Sequence, residues 1–166
     1  DAKTEIDKLA NDPKAKDKPE FYYYQSRIYA AIFKDAALRA KYPNASQVAA
    51  ASLEKYASMD PGFTKIKELG GVEPYFDMYA TYFQLGVNVF NEKSWLPAAE
   101  NFVIAIKYID IIIQNKWAAS PTLTMDTTAL LYAGYAYQNG NQMDDAAKYY
   151  GRLADSKVNE AVYLDL

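Results

Sequence analysis

Cysteine and histidine are both absent from this chain of 166 residues. Their absence excludes disulfides, Cys/His zinc sites, Ser-His-Asp triads, cysteine nucleophiles and haem held by histidine. Any catalysis would have to rest on Asp, Glu, Lys, Tyr or Ser. Long apolar runs are missing too. The longest, from Phe102 to Ile113, is interrupted by Lys107 and Asp110, too short and too broken to span a bilayer. There is no strong excess of charge. The net charge is −3, with Lys and Arg spread along the chain, which argues against a nucleic-acid footprint and against a polybasic membrane patch. The chain opens on Asp rather than Met, which leads us to expect a processed or trimmed chain.

Apolar residues make up 51% of the chain and charged residues 23%, enough to bury a core. Glycine and proline are few, seven of each, and they punctuate. Breaks fall at 11–19, 42–44, 60–62, 70–71, 91–94, 117–121, 139–141 and 155–159. The segments between them are rich in Ala, Leu, Tyr, Lys and Glu and lack the Val/Ile/Thr alternation of strands. The pattern predicts helices near 2–10, 20–40, 45–58, 74–91, 95–115, 124–139, 143–154 and from 159 onward, with a weak turn over 62–69.

An internal repeat emerges on the small residues. Tyr82-x-x-Leu85-Gly86-x-x-Val89 is followed by Ala98-x-x-x-Phe102-x-x-Ala105, and Leu130-x-x-Ala133-Gly134-x-x-Tyr137 by Ala146-x-x-x-Tyr150-x-x-Leu153. Glycine and alanine stand twelve residues apart in both. Small residues on two antiparallel helices let them approach closely, and rings one turn away interlock. Trp95 and Met143 hold matching places where they can cover the turn. Ser94 suits an N-cap, Pro97 a first helical turn, and Gly140 a left-handed C-terminal position.

These pairs resemble the tetratricopeptide repeat family, with its W-x2-L-G-x2-Y and A-x3-F signature, Trp being replaced by Tyr82 and Leu130. A looser match runs from Tyr22-x-x-Gln25-Ser26-x-x-Tyr29 to Ala49-x-x-x-Leu53 and Asp60-Pro61. Half repeats are expected at 1–12 and 159–166. The spacing departs from the family: 60 residues separate Ser26 from Gly86 and 48 separate Gly86 from Gly134, against about 34. The long loops and the Pro19-Glu20-Phe21-Tyr22 start are similar to divergent repeat proteins exported by bacteria. The resemblance implies an all-α, right-handed α-α superhelix over 1–166, with helix pairs near 20–60, 74–115 and 124–155.

It also implies a concave face lined by the first helix of each pair, where a protein or peptide would bind. The groove positions carried over are Tyr23, Arg27 and Ala30, then Phe83, Val87, Phe90 and Asn91, then Leu131, Tyr135, Gln138 and Asn139. Arg27, Asn91 and Asn139 would clamp a backbone or carboxylate, and Tyr23, Phe83 and Tyr135 would give apolar contact. The plainer reading makes the rings inter-repeat core and the polar groups helix-end surface. The sixteen tyrosines suggest sugar stacking as an alternative, yet most occupy packing positions of the repeat, which leaves Tyr23 and Tyr135 for it. A structural spacer in a longer array is the third reading, with self-association through the end repeats.

Carboxylates offer little chemistry. Asp144-Asp145 and Asp126 read as first-turn helix residues, and Glu54 and Glu100 as solvated faces. No spacing suggests a metal cage or an acid/base pair, so the expectation is a protein without cofactor or enzymatic activity. Lys14, Lys16 and Lys18 read as a solvated linker, and Asn44-Ala45-Ser46 as a chance glycosylation triplet.

Overall fold

The computed structural model describes residues 1–155, and among the described residues all regular structure is helical, ten helices with no strand. The helix expected from 159 onward lies outside the described residues. The chain divides into two units, Asp1–Met78 and Tyr79–Leu166.

The first unit holds α1 (Ala2–Leu9), α2 (Pro13–Lys16), α3 (Pro19–Lys34), α4 (Ala36–Lys41), α5 (Ala45–Met59), α6 (Ile66–Leu69) and the start of α7 (Glu73–Asn91). Its main pair is α3 against α5, with α1 and α4 also on α3. The small residues of the looser repeat match are what let this pair close. Ser26 and Ala49 are fully buried and Leu53 is nearly so. Ser26 satisfies its hydroxyl by donating to the Tyr23 carbonyl at 2.7 Å, and Ser52 donates across the pair to Gln25 at 2.8 Å. Apolar side chains from both helices fill the space between, each contributing about 1.5–3 kcal/mol by leaving water.

Two expectations in this unit are corrected. The single helix over 20–40 is broken at Asp35, whose backbone turns extended (ψ 121°). There the Asp35 carboxylate accepts the Leu38 N–H at 2.9 Å, starting α4 as a separate helix. Lysines 14 and 16 lie not in a linker but in the short helix α2, which Asp12 caps through the Lys14 N–H and Pro13 begins, as proline can where no helical N–H is needed.

The second unit comprises the remainder of α7, α8 (Trp95–Gln114), α9 (Thr127–Asn139) and α10 (Met143–Asp155). Phe102, Leu130, Ala98, Ala133 and Ala136 are essentially without exposure and anchor its core. Helix α9 packs on both α8 and α10. Ring contacts link α7, α8 and α9 to one another: Phe83–Phe102 at 5.6 Å, Phe90–Tyr132 at 5.2 Å, and Phe102 stacked on Tyr132 at 5.2 Å. Such pairs add to plain burial by about 0.5–1.5 kcal/mol.

Glycine serves close approach as the repeat pattern requires. A Cβ on Gly86 would fall 2.8 Å from Cε1 of Phe102, and one on Gly134 would collide with the ring of Tyr150. Ala98 and Ala146 are both buried at the matching places. The left-handed residue after α9 is Asn141 (φ 58°), not Gly140 (φ −82°). Gly140 is kept small by Leu96, whose Cδ2 would lie 2.7 Å from a Cβ there. Lys93 (φ 60°) and Lys116 (φ 58°) play the same part after α7 and α8. In all three the paired bonds of the Schellman motif close the helix. The N–H groups of Ser94, Gln142 and Trp117 reach back five residues to Val89, Tyr137 and Ile112, each at 2.9 Å.

Helix starts differ in detail. Helix α9 begins at Thr127 rather than 124, because Asp126 accepts the Ala129 N–H at 3.0 Å and so sets the cap. Ser94 stands at the cap of α8 without a side-chain bond. Trp95 covers its turn through an edge contact with Phe90, 5.1 Å between centroids, while Met143 at the matching place is 59% exposed.

Candidate functional site

The first helices of the two pairs in the second unit, α7 and α9, lie side by side through Phe83, Phe90 and Tyr132. On α7, Phe83 and Val87 stand one turn apart and are half-buried, and Asn91 ends the helix in solvent. On α9, Leu131 is half-buried, Tyr135 is 39% exposed one turn later, and Gln138 and Asn139 are exposed at the helix end. Phe90 is half-buried, in contact with Trp95, Phe102 and Tyr132. This sets a partly covered apolar floor beside a polar margin.

Local bonds hold that margin. The Asn139 amide donates to the Tyr135 carbonyl at 2.8 Å. The ring of Tyr135 meets that of Tyr150 edge-on at 6.0 Å, and the Tyr150 hydroxyl donates to Gln138 at 2.7 Å. Burial first, then the nearby Tyr135, pushes the Tyr150 phenol up to about 12, so it remains a donor through neutral pH. Tyr135 thereby presents one ring face in a fixed orientation, without spending the entropy of a long flexible side chain.

The groove residues of the first unit fall otherwise. Tyr23 and Ala30 are fully buried. Tyr23 donates its hydroxyl to the Gly71 carbonyl at 2.9 Å and packs edge-on to Tyr56 at 5.6 Å, so it has no surface for a ligand. Arg27 is exposed, with its guanidinium 3.5 Å from Glu73.

The carboxylates are structural wherever the geometry engages them. Asp126 caps α9 and also accepts the Tyr79 hydroxyl at 2.6 Å, and Asp144 and Asp145 lie in the first turn of α10. Asp60, whose place before Pro61 reads only as a turn, is held by four donors. It takes the Thr64 N–H and hydroxyl on one oxygen, and the Lys65 N–H and Tyr56 hydroxyl on the other, at 2.8–3.1 Å. Burial alone would raise its pKa, but these four donors outweigh burial and hold it at about 2. Among the described residues no three Asp or Glu side chains gather as a metal site would require, and no helix is long and apolar enough to cross a membrane. Ser46 of the Asn44-Ala45-Ser46 triplet is buried in the first turn of α5.

Neither family models, nor curated proteins, nor solved structures provide a match to this chain.

Proposed function

We propose that the chain is a tetratricopeptide-like scaffold that holds a protein or peptide segment against α7 and α9, without a cofactor and without catalysis. The observation that carries this reading is the pairing of two helix hairpins built alike. Gly86 and Gly134 face the rings of Phe102 and Tyr150, and Lys93 and Asn141 take the same left-handed turn, each pair 48 residues apart. Equivalent first helices then carry equivalent apolar positions, Phe83 and Val87 on one and Leu131 and Tyr135 on the other. A half-buried apolar strip with amides at its margin suits an amphipathic helix or an extended peptide, whose backbone groups need partners. The right-handed superhelix belongs to the same proposal and rests on the same resemblance, as does export to an envelope compartment.

Sugar binding was the alternative for Tyr23 and Tyr135, and with Tyr23 buried it rests on a single exposed ring. Selection of a random peptide library on the full chain, and on Asn91→Ala/Tyr135→Ala, separates these readings. Both substituted residues are exposed, so circular dichroism should be unchanged. The scaffold reading expects peptides that share a pattern, bind the wild type and lose about tenfold or more on the variant. No enrichment, or peptides indifferent to the two substitutions, would overturn it. Retention of glycans by the wild type alone would favour the sugar reading.

A further inference from the structure

The first helices of the second unit carry no charge. From Tyr79 to Asn91 on α7 and from Thr127 to Asn139 on α9 there is no Asp, Glu, Lys or Arg. Their exposed positions include Gln84, Asn88 and Asn91 on α7, and Tyr135, Gln138 and Asn139 on α9. The second helices differ. Glu100 and Lys107 on α8, and Asp144, Asp145 and Lys148 on α10, are exposed. Lys and Glu favour helices more than Asn or Tyr does, so helix formation does not explain their absence from one set of helices alone.

The exposed amides form rows. The Gln84 amide donates to Asn88, four residues on, at 2.9 Å, and Asn91 lies one turn from both Asn88 and Val87. Gln138 accepts the Tyr150 hydroxyl, and Asn139 donates to the Tyr135 carbonyl. After these bonds each amide keeps a spare N–H and a spare lone pair. A peptide main chain offers the same two functions in return.

Nearby charges do not supply what the face lacks. Glu92 and Lys93 follow Asn91 in the turn and are opposite in sign. Asp126 stays negative where it caps α9, but about 14 Å of helix separates it from Tyr135, more than the ~10 Å Debye length at 0.1 M salt. Asp145 and Glu100 come near α9 at Tyr137, about 200° round the helix from Tyr135.

We infer that the α7–α9 face takes an uncharged polypeptide segment. The amide rows hold its main chain, and Phe83, Val87, Leu131 and Tyr135 hold its apolar side chains. A Lys, Arg, Asp or Glu in the contacted part of a ligand would leave water with no opposite charge to meet it, a cost that an uncharged side chain does not carry. Charge is thus a criterion of exclusion, and the affinity has no ion pairs to lose to salt. This inference rests on the scaffold reading and narrows its partner.

Peptides selected on the full chain, and weakened by Asn91→Ala/Tyr135→Ala, supply the probe. Sequencing should show Lys, Arg, Asp and Glu depleted from the shared pattern relative to the input library. Anisotropy titration of one such peptide should give the same Kd within about twofold at low and at high sodium chloride. Replacing pattern positions one at a time by Lys, and separately by Glu, should weaken binding about tenfold or more with either sign, and replacement by Gln much less. Selection on Asn91→Lys, an exposed position whose fold circular dichroism checks, should bring Asp and Glu into the pattern. Charged residues in the wild-type pattern, an affinity that falls more than about threefold with salt, or a loss confined to one sign would overturn the inference and leave the scaffold standing. No selected peptide at all would overturn the scaffold reading itself, and the inference with it.

Discussion

Gly86 faces the ring of Phe102 so closely that a methyl group in place of its hydrogen would stand 2.8 Å from Cε1, and Phe102 is itself fully buried. On helix propensity alone, Gly86→Ala should stabilise by about 1 kcal/mol. The buried ring has nowhere to move, so overpacking at about 1–3 kcal/mol should win. We expect net destabilisation by denaturant titration. Gly134→Ala should cost less, because Tyr150 is only half-buried and can swing outward at the loss of its bond to Gln138. Combining Gly86→Ala with Phe102→Leu should recover part of the loss. A stabilised Gly86→Ala would show that the interface is looser than its geometry.

The left-handed positions after α7 and α8 run the other way. Lys93 and Lys116 adopt φ near 60° with a Cβ present, a conformation that is strained for any residue but glycine. Relief of that strain exceeds the added freedom of an unfolded glycine. Lys93→Gly and Lys116→Gly should therefore each raise stability, by up to about 1 kcal/mol. Lys93→Ala keeps the strain while removing the charge, so it should give no gain. Asn141→Gly should gain least, since Asn tolerates this region. Thermal midpoints of the four variants, compared in one buffer, decide the matter.

Asp60 makes stability depend on acid. Its carboxyl is held at about 2 in the folded chain, against ~3.9 when unfolded. A depressed carboxyl stabilises fully above the unfolded value and loses that contribution as pH falls through the folded one. The wild type should thus lose stability between about pH 4 and pH 2 by more than Asp60→Asn does. At neutral pH Asp60→Asn should be destabilised by about 2–3 kcal/mol, because an amide cannot accept from all four donors. Denaturant midpoints measured every half pH unit would show parallel curves if Asp60 were not responsible.

Much of this architecture can be read from residue order, and the places where it cannot share a cause. The glycine-to-alanine spacing is local, so the hairpins of the second unit follow from it almost position by position. Asp35 looks ordinary inside a helix-favouring run, and only the tertiary path makes it the start of α4 rather than an interior residue. Tyr23 occupies a groove position in the repeat register, yet its hydroxyl finds a carbonyl 48 residues away at Gly71, a partner that no local pattern announces. Asp60 reads as a turn residue before Pro61, and its four donors become visible only when 64 and 65 fold back on it. Of the groove positions, Arg27, Asn91, Tyr135, Gln138 and Asn139 are exposed, and the exposure of Asn91, Gln138 and Asn139 follows from their places at helix ends that the Gly, Asn and Ser breaks mark in the sequence.

Three phenols each donate a hydrogen bond to a carboxylate: Tyr29 to Asp7 at 2.6 Å, Tyr56 to Asp60 at 3.0 Å, and Tyr79 to Asp126 at 2.6 Å. In each, burial first and then the carboxylate resist ionisation of the phenol. Deprotonating one would set two negative charges side by side where water is scarce. With neither histidine nor cysteine, no side chain has an ordinary pKa between the carboxylates and the phenols, and raising these three phenols moves the loss of their contacts further into alkali. Alkali has to overcome that resistance before the joints tying α1 to α3, α5 to its loop and α7 to α9 give way.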